Sequence, residues 1–191
     1  MKKAPYFSVV MPIYNVEPFL RKAVDSIINQ TFKDFELIVI NDCSTDNTYE
    51  ILKEFAELDE RVKVHTNEVN LRLPSSLNKA ITLAKGKYIA RMDADDISLP
   101  NRLKNQMLFF DNHPNTDVLF VNKVVINELG IEVKTYRRKL KDSVIVPSLF
   151  FGCLLCHPSV MFRRKIIDGL DYVYDPSCKA EDYDLWNRLA C

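Results

Sequence analysis

Phe35-Glu-Leu-Ile-Val-Ile40-Asn-Asp42-Cys-Ser44-Thr-Asp46-Asn47 sets an apolar run rich in β-branched residues directly against a polar turn. A short apolar run bounded by turn residues reads as a buried strand, and the polar residues after it as a loop into a helix. Asn47-x-x-Glu50 offers that helix a capping box, with Ile51, Leu52, Phe55 and Ala56 on its inner face. The same order recurs on both sides of this stretch. Residues 7–11 form a strand, followed by Val16, Phe19, Leu20, Ala23, Val24, Ile27 and Ile28 at the spacing of one helical face. Asn15 is placed to cap this helix, and Pro18 falls in its first turn, where a missing N–H does no harm. Residues 62–65 make a third strand, and the next helix carries Leu73, Leu77, Ala80, Ile81 and Ala84 inward before Gly86. A fourth strand covers 88–92, and a helix runs from near Pro100 through Leu103, Met107 and Phe110 to about Asn112. Strand and helix in alternation predict a mainly parallel sheet, doubly wound, with helices on both faces.

Beyond Asp117 the pattern changes. Residues 118–126 and 131–136 read as strands around a turn at Glu128-Leu-Gly130, 159–162 as another, and 182–189 as a helix still running near Cys191. This predicts a smaller antiparallel part and a chain that continues past Cys191. The 191 residues suffice for one domain with a substantial core.

Lysine plus arginine and aspartate plus glutamate each number 26, so no overall field draws the chain to nucleic acid. No apolar stretch approaches the ~20 residues that span a bilayer, and the N-terminus lacks the apolar core of a signal peptide. The expectation is a cytoplasmic protein. Five cysteines without a secretion signal read as free thiols, with Cys153 and Cys156 as core residues rather than half of a zinc site.

In open α/β sheets, ligands bind outside the carboxyl ends of the strands. Here those ends carry Pro12-Ile-Tyr14-Asn15, Asn41-Asp42, then Asn67 and Asn70, and Asp93-Ala-Asp95-Asp96. Parallel strands bring all four to one edge. Ser44, Thr45, Asp46 and Asn47 serve equally as turn and cap residues. Three carboxylates in four residues repel one another and suit a hard cation, Mg²⁺ or Mn²⁺. Such an ion would bridge a diphosphate, with Asp42 placed to accept hydrogen bonds from a base or ribose. A dinucleotide fold would need glycines after the first strand, and the first glycine in this chain is Gly86.

Val10-Met-Pro12-Ile-Tyr14-Asn15, Ile40-Asn41-Asp42-Cys-Ser44-Thr45-Asp46, Tyr88-Ile-Ala-Arg91-Met-Asp93-Ala-Asp95-Asp96 and Glu181-Asp182-Tyr-Asp184-Leu-Trp186 occur in that order. Together they resemble the signatures of family 2 glycosyltransferases over nearly the whole chain. The resemblance implies a GT-A fold and an inverting single displacement from a nucleotide diphosphate sugar, with UDP the first choice. By position it implies nucleotide contacts at Pro12, Tyr14, Asp42, Arg72 and Asp93. It further implies a divalent metal at Asp93 and Asp95, and a general base at Asp182. His157, Glu181 and Trp186 fall on the acceptor side. Residues 1–116 would then form the nucleotide-sugar-binding half and 117–191 the acceptor-side half. The acceptor would be a saccharide or a lipid-linked saccharide of bacterial surface polysaccharide or lipopolysaccharide assembly. Peripheral association with the inner face of the membrane would run through the region beyond Cys191. Cys43 and Asn47 stand where this family commonly has glycine, and Arg72 where Asn-x-Gly is usual, so those loops are expected to be reshaped. Two other readings compete. One is a nucleotide-sugar-binding fragment without catalysis. The other is a sugar nucleotidyltransferase, disfavoured because Tyr14, Asn15 and Glu17 stand where a glycine-rich basic loop would be.

Overall fold

The strand β1 (Phe7–Ile13) is buried at every position, which requires cover on both faces of its sheet. Its side chains alternate. Phe7, Val9, Met11 and Ile13 join one core cluster, and Val10 joins another. The first cluster is closed by α1 (Glu17–Ile28), α2 (Thr48–Leu58) and α4 (Arg102–Asn112). The second is closed by α3 (Arg72–Leu83) and α6 (Glu181–Ala190). Each fully buried Val, Leu or Ile contributes about 1.5–3 kcal/mol, so the two clusters hold the layers together without disulfides. This is a computed structural model, and it describes residues 3–137, 142–149, 151–152 and 155–190.

With β2 (Phe35–Asn41), β3 (Val62–Thr66), β4 (Tyr88–Arg91), β5 (Val118–Leu119) and β8 (Met161–Arg163), β1 forms a six-stranded sheet ordered β3-β2-β1-β4-β8-β5. The strands β1 to β4 pair in parallel, while β8 is antiparallel to both β4 and β5. A separate hairpin pairs β6 (Lys123–Ile126) with β7 (Glu132–Tyr136). The expected long strand over 118–126 is therefore two, because its first residues pair with β8 and its last with β7. A short helix α5 spans Asp142–Ser148.

Gly86 lies where the chain turns from α3 into β4, and a Cβ there would sit 2.4 Å from the Ser8 nitrogen. Such an approach admits no side chain. The expected caps differ. Asn15 and Asn47 make no capping bond to the helices they precede, because the Asn15 Oδ1 accepts the Thr45 N–H at 2.8 Å. Asp46 caps α2 instead, accepting the Thr48 N–H at 3.0 Å. Leu73 also departs from the inward face expected of it: Leu77, Ala80 and Ile81 are buried, whereas Leu73 is 37% exposed. Cys43, Cys156 and Cys178 are half-buried free thiols. Cys156 is thus not the core residue expected, and Cys153 lies outside the described residues. Among the described residues no helix is long and apolar enough to cross a membrane.

Candidate active site

The order β2-β1-β4 puts the carboxyl ends of three neighbouring parallel strands on one edge. Tyr14, Asp42 and Asp93 come just after those ends. Polar loop residues stitch the first two together. The Asn15 N–H donates to Ser44 Oγ at 3.0 Å, the Glu17 N–H to Asp46 Oδ2 at 3.1 Å, and Asn47 Nδ2 to Glu17 Oε1 at 2.9 Å. Asn15, Cys43 and Arg72 have φ of 51°, 63° and 68°. The loops at Cys43 and Arg72 therefore keep a left-handed backbone despite lacking glycine, where a reshaped path was expected. Asn47, at φ −75°, needs none.

Pro12, Tyr14, Asp42 and Arg72 line one cavity of ≈ 180 Å³, together with Ile13, Asn70, Leu73 and Ser76. Asp42 is buried and its Oδ1 accepts Asn67 Nδ2 at 2.7 Å and the Leu71 N–H at 2.8 Å. Asn67 is itself held by Lys79 Nζ at 2.6 Å. A larger groove of ≈ 300 Å³ lies between α3 and residues 164–173, and none of the strand-end residues lines it.

Arg91, the last residue of β4, is 3% exposed and donates from Nη2 to Asp93 Oδ1 at 2.5 Å. Its Nε and Nη1 take no partner. Burial raises the Asp93 carboxyl above the usual range, and the charge of Arg91 offsets that only in part. Asp96 is raised by burial and then by the charges of Asp93 and Asp95. Asp95 is exposed. Behind them Arg102 donates to the Arg91 carbonyl at 2.8 Å and the Pro158 carbonyl at 3.1 Å. Burial pushes its guanidinium down to about 10.

Among the described residues no three His, Cys, Asp or Glu side chains converge as a ready-made metal centre. Mg²⁺ or Mn²⁺ at a diphosphate takes only one or two carboxylates and completes its shell from phosphate and water. The hard oxygens of Asp93 and Asp95 fit that donor set.

His157 is buried against Tyr174, its Nε2 3.0 Å from the Tyr174 hydroxyl. Burial, and then nearby Arg91, push it down to about 2, so the imidazole is neutral. Trp186 is 3% exposed, with its edge toward Phe120 and His157. Its ring is a core element and presents no open face for a sugar. Burial raises the Tyr174 hydroxyl, and the opposing charge of Arg91 offsets that only in part. At the start of α6, Asp182 Oδ1 accepts the Tyr183 N–H at 2.7 Å, while Asp184 pairs with Arg188 at 2.8 Å. Sequence reasoning placed Asn67 at this edge but assigned no role to Arg91 or Tyr174. Only Arg91 left a signal, a charge closing an otherwise apolar strand.

A mainly parallel sheet with a cavity and an Asp-Ala-Asp turn at its carboxyl edge, and a separate antiparallel hairpin, has the GT-A fold of glycosyltransferases. The chain belongs to glycosyltransferase family 2: the family model described as Glycosyl transferase family 2 matches residues 8–170. An uncharacterised glycosyltransferase of Methanocaldococcus jannaschii is 40% identical over 187 residues, covering 96% of this chain and 64% of the relative. The O-antigen biosynthesis glycosyltransferase WbnJ of Escherichia coli is 38% identical, covering 95% of this chain and 70% of its own. Among solved structures, S. aureus TarS 1–349 in complex with UDP-GlcNAc superposes with a TM-score of 0.76 at 26% identity. That likeness covers 96% of this chain and 52% of TarS 1–349. The chain thus spans from about half to 70% of the length of these three proteins.

Proposed function

We propose that this chain carries the donor site and general base of an inverting transferase that moves a sugar from UDP to an acceptor hydroxyl. The observation that carries the reading is that Tyr14, Asp42 and Asp93 follow the carboxyl ends of three neighbouring parallel strands, with a cavity lined by Pro12, Tyr14, Asp42 and Arg72 at that edge. Pro12, Tyr14, Asp42 and Arg72 hold the nucleotide, and Asp93 continues the donor path from β4. Asp93 and Asp95 would hold Mn²⁺ or Mg²⁺, which supplies charge neutralisation to the departing diphosphate.

Inversion requires the acceptor hydroxyl to attack from the face opposite the diphosphate and to lose its proton as the bond forms. Asp182 takes that proton as general base. Asp184 is committed to Arg188 on another face of α6, consistent with residues two apart pointing different ways. His157, Glu181 and Trp186 shape the acceptor side, His157 as a neutral wall rather than a proton carrier. In this reading residues 1–116 bind the nucleotide sugar and 117–191 meet the acceptor. That acceptor is a saccharide or lipid-linked saccharide of surface polysaccharide assembly, an assignment supported by the O-antigen relative. The enzyme would work in the cytoplasm, at the inner membrane face.

The test is donor turnover with a panel of nucleotide sugars, followed by Asp182→Asn. The expected outcome is a kcat lower by about 10²–10⁴, or about 3–5 kcal/mol of barrier, with UDP affinity within a few-fold. Near-parental turnover would clear Asp182 of the role.

A further inference from the structure

Leu73 is where the helical pattern of α3 fails. Leu77, Ala80 and Ile81 pack inward, but Leu73 stands 37% exposed and lines the ≈ 180 Å³ cavity beside Pro12, Tyr14, Asp42 and Ser76. The residue before it, Arg72, enters the helix from a left-handed φ of 68°. The first turn is therefore not a simple extension of the buried face.

A wider pattern gives this position weight. Among the described residues, the non-glycine residues with positive φ are Asn15, Cys43 and Arg72. Each adjoins a residue that lines this cavity, namely Tyr14, Asp42 and Leu73. Such backbone conformations persist only where surrounding structure enforces them, and they gather at functional sites. The chemistry of the lining is that of a slot for a flat heterocycle. Tyr14, 48% exposed, and Leu73 offer apolar surface. The Asp42 Oδ1 is engaged by Asn67 and Leu71, so Oδ2 is the acceptor left for an N–H on the edge of a base. A volume of ≈ 180 Å³ is below what encloses a whole drug-sized ligand, so ribose and diphosphate run outside it toward Asp93.

We propose that Leu73 is a specificity-determining residue: with Tyr14 it holds the pyrimidine ring and keeps the slot too shallow for a purine. This rests on the reading of the chain as a UDP-sugar enzyme. Because Leu73 is not among the buried core residues, thermal melting beside the titrations separates its effect on binding from its effect on stability.

The experiment is calorimetric titration of parent, Leu73→Ala and Leu73→Phe with UDP and with GDP, Mn²⁺ present throughout, alongside thermal melting. Leu73→Ala is expected to weaken UDP about tenfold through lost apolar contact. GDP should weaken less, so the preference narrows at an unchanged melting temperature. Leu73→Phe adds bulk and is expected to widen the preference. An unchanged UDP:GDP ratio in both variants overturns this inference and leaves the UDP reading standing. A parent that binds GDP more tightly, or neither nucleotide, overturns the reading beneath it.

Discussion

Cys43 holds φ at 63° immediately after the buried Asp42, with its Sγ 3.6 Å from the Glu68 carbonyl. A β-carbon in that region costs about 1–2 kcal/mol, and the extra freedom of glycine in the unfolded chain returns about 0.5–1 kcal/mol of that. Cys43→Gly is therefore expected to raise stability by about 0.5–1 kcal/mol in urea denaturation. A loss instead would show that the thiol contact to Glu68 outweighs the backbone. Cys43 and Arg72 read in sequence as departures from glycine, which predicts a reshaped loop. Local propensity lost that contest because bonds within and between loops, such as Ser44 N–H to Asn41 Oδ1 at 3.1 Å and Asn15 N–H to Ser44 Oγ at 3.0 Å, enforce the backbone. The strand-end carboxylates were legible because charge seldom closes an apolar run without a use. Tyr174 was not, since its place against His157 and Asn78 arises only when distant segments meet.

Elements depend on one another through a buried polar knot at the other end of the sheet. Glu36 on β2 is buried and accepts Ser8 Oγ at 2.6 Å, the Lys85 N–H at 2.8 Å, and Lys63 Nζ. It thus joins β1, β2, β3 and the exit of α3. Burial alone would push its carboxyl up, but the hydrogen bonds from Lys63, Ser8 and Lys85 outweigh it and hold it below the usual range. A depressed carboxylate stabilises the fold above its unfolded pKa of about 4.3, and that contribution is lost as pH falls through the folded value. Glu36→Gln is expected to cost about 1–3 kcal/mol at pH 7, with the gap to the parent shrinking below about pH 4.3. Urea denaturation across that range checks both parts; a constant gap would mean the charge is irrelevant. Periodicity revealed β1, β2 and the inward faces of α1 and α2, because a two-sided core demands it. It misread Leu73 and the caps, where loop hydrogen bonds decide which way a first turn faces.

For the molecule as a whole, β8 is the joint. It lies antiparallel between β4 and β5, and Arg163 donates to the Tyr88 hydroxyl at 2.8 Å across 75 residues of chain. Residues 1–116 alone would leave β4 as an unpaired edge, the kind of surface that templates aggregation. Expressed alone, 1–116 is expected to be insoluble, and co-expression with 117–191 to return it to solution. A soluble, monomeric 1–116 would show that β8 is dispensable. Sequence placed a strand close to this position but not its direction or its neighbour, since those depend on how the chain returns after the hairpin.

The Arg91 N–H bonds the Val160 carbonyl at 3.0 Å, and Arg102 clasps the Pro158 carbonyl, so the strand leading into Asp93 is braced by a segment made much later. During synthesis, then, the ribosome must release residues 158–163 before the aspartate turn is secured. Long-range strand pairing of this kind is slow to form. The newborn chain therefore passes through an interval in which every residue lining the Tyr14–Asp42 cavity has been made while the strand leading into Asp93 is still unbraced.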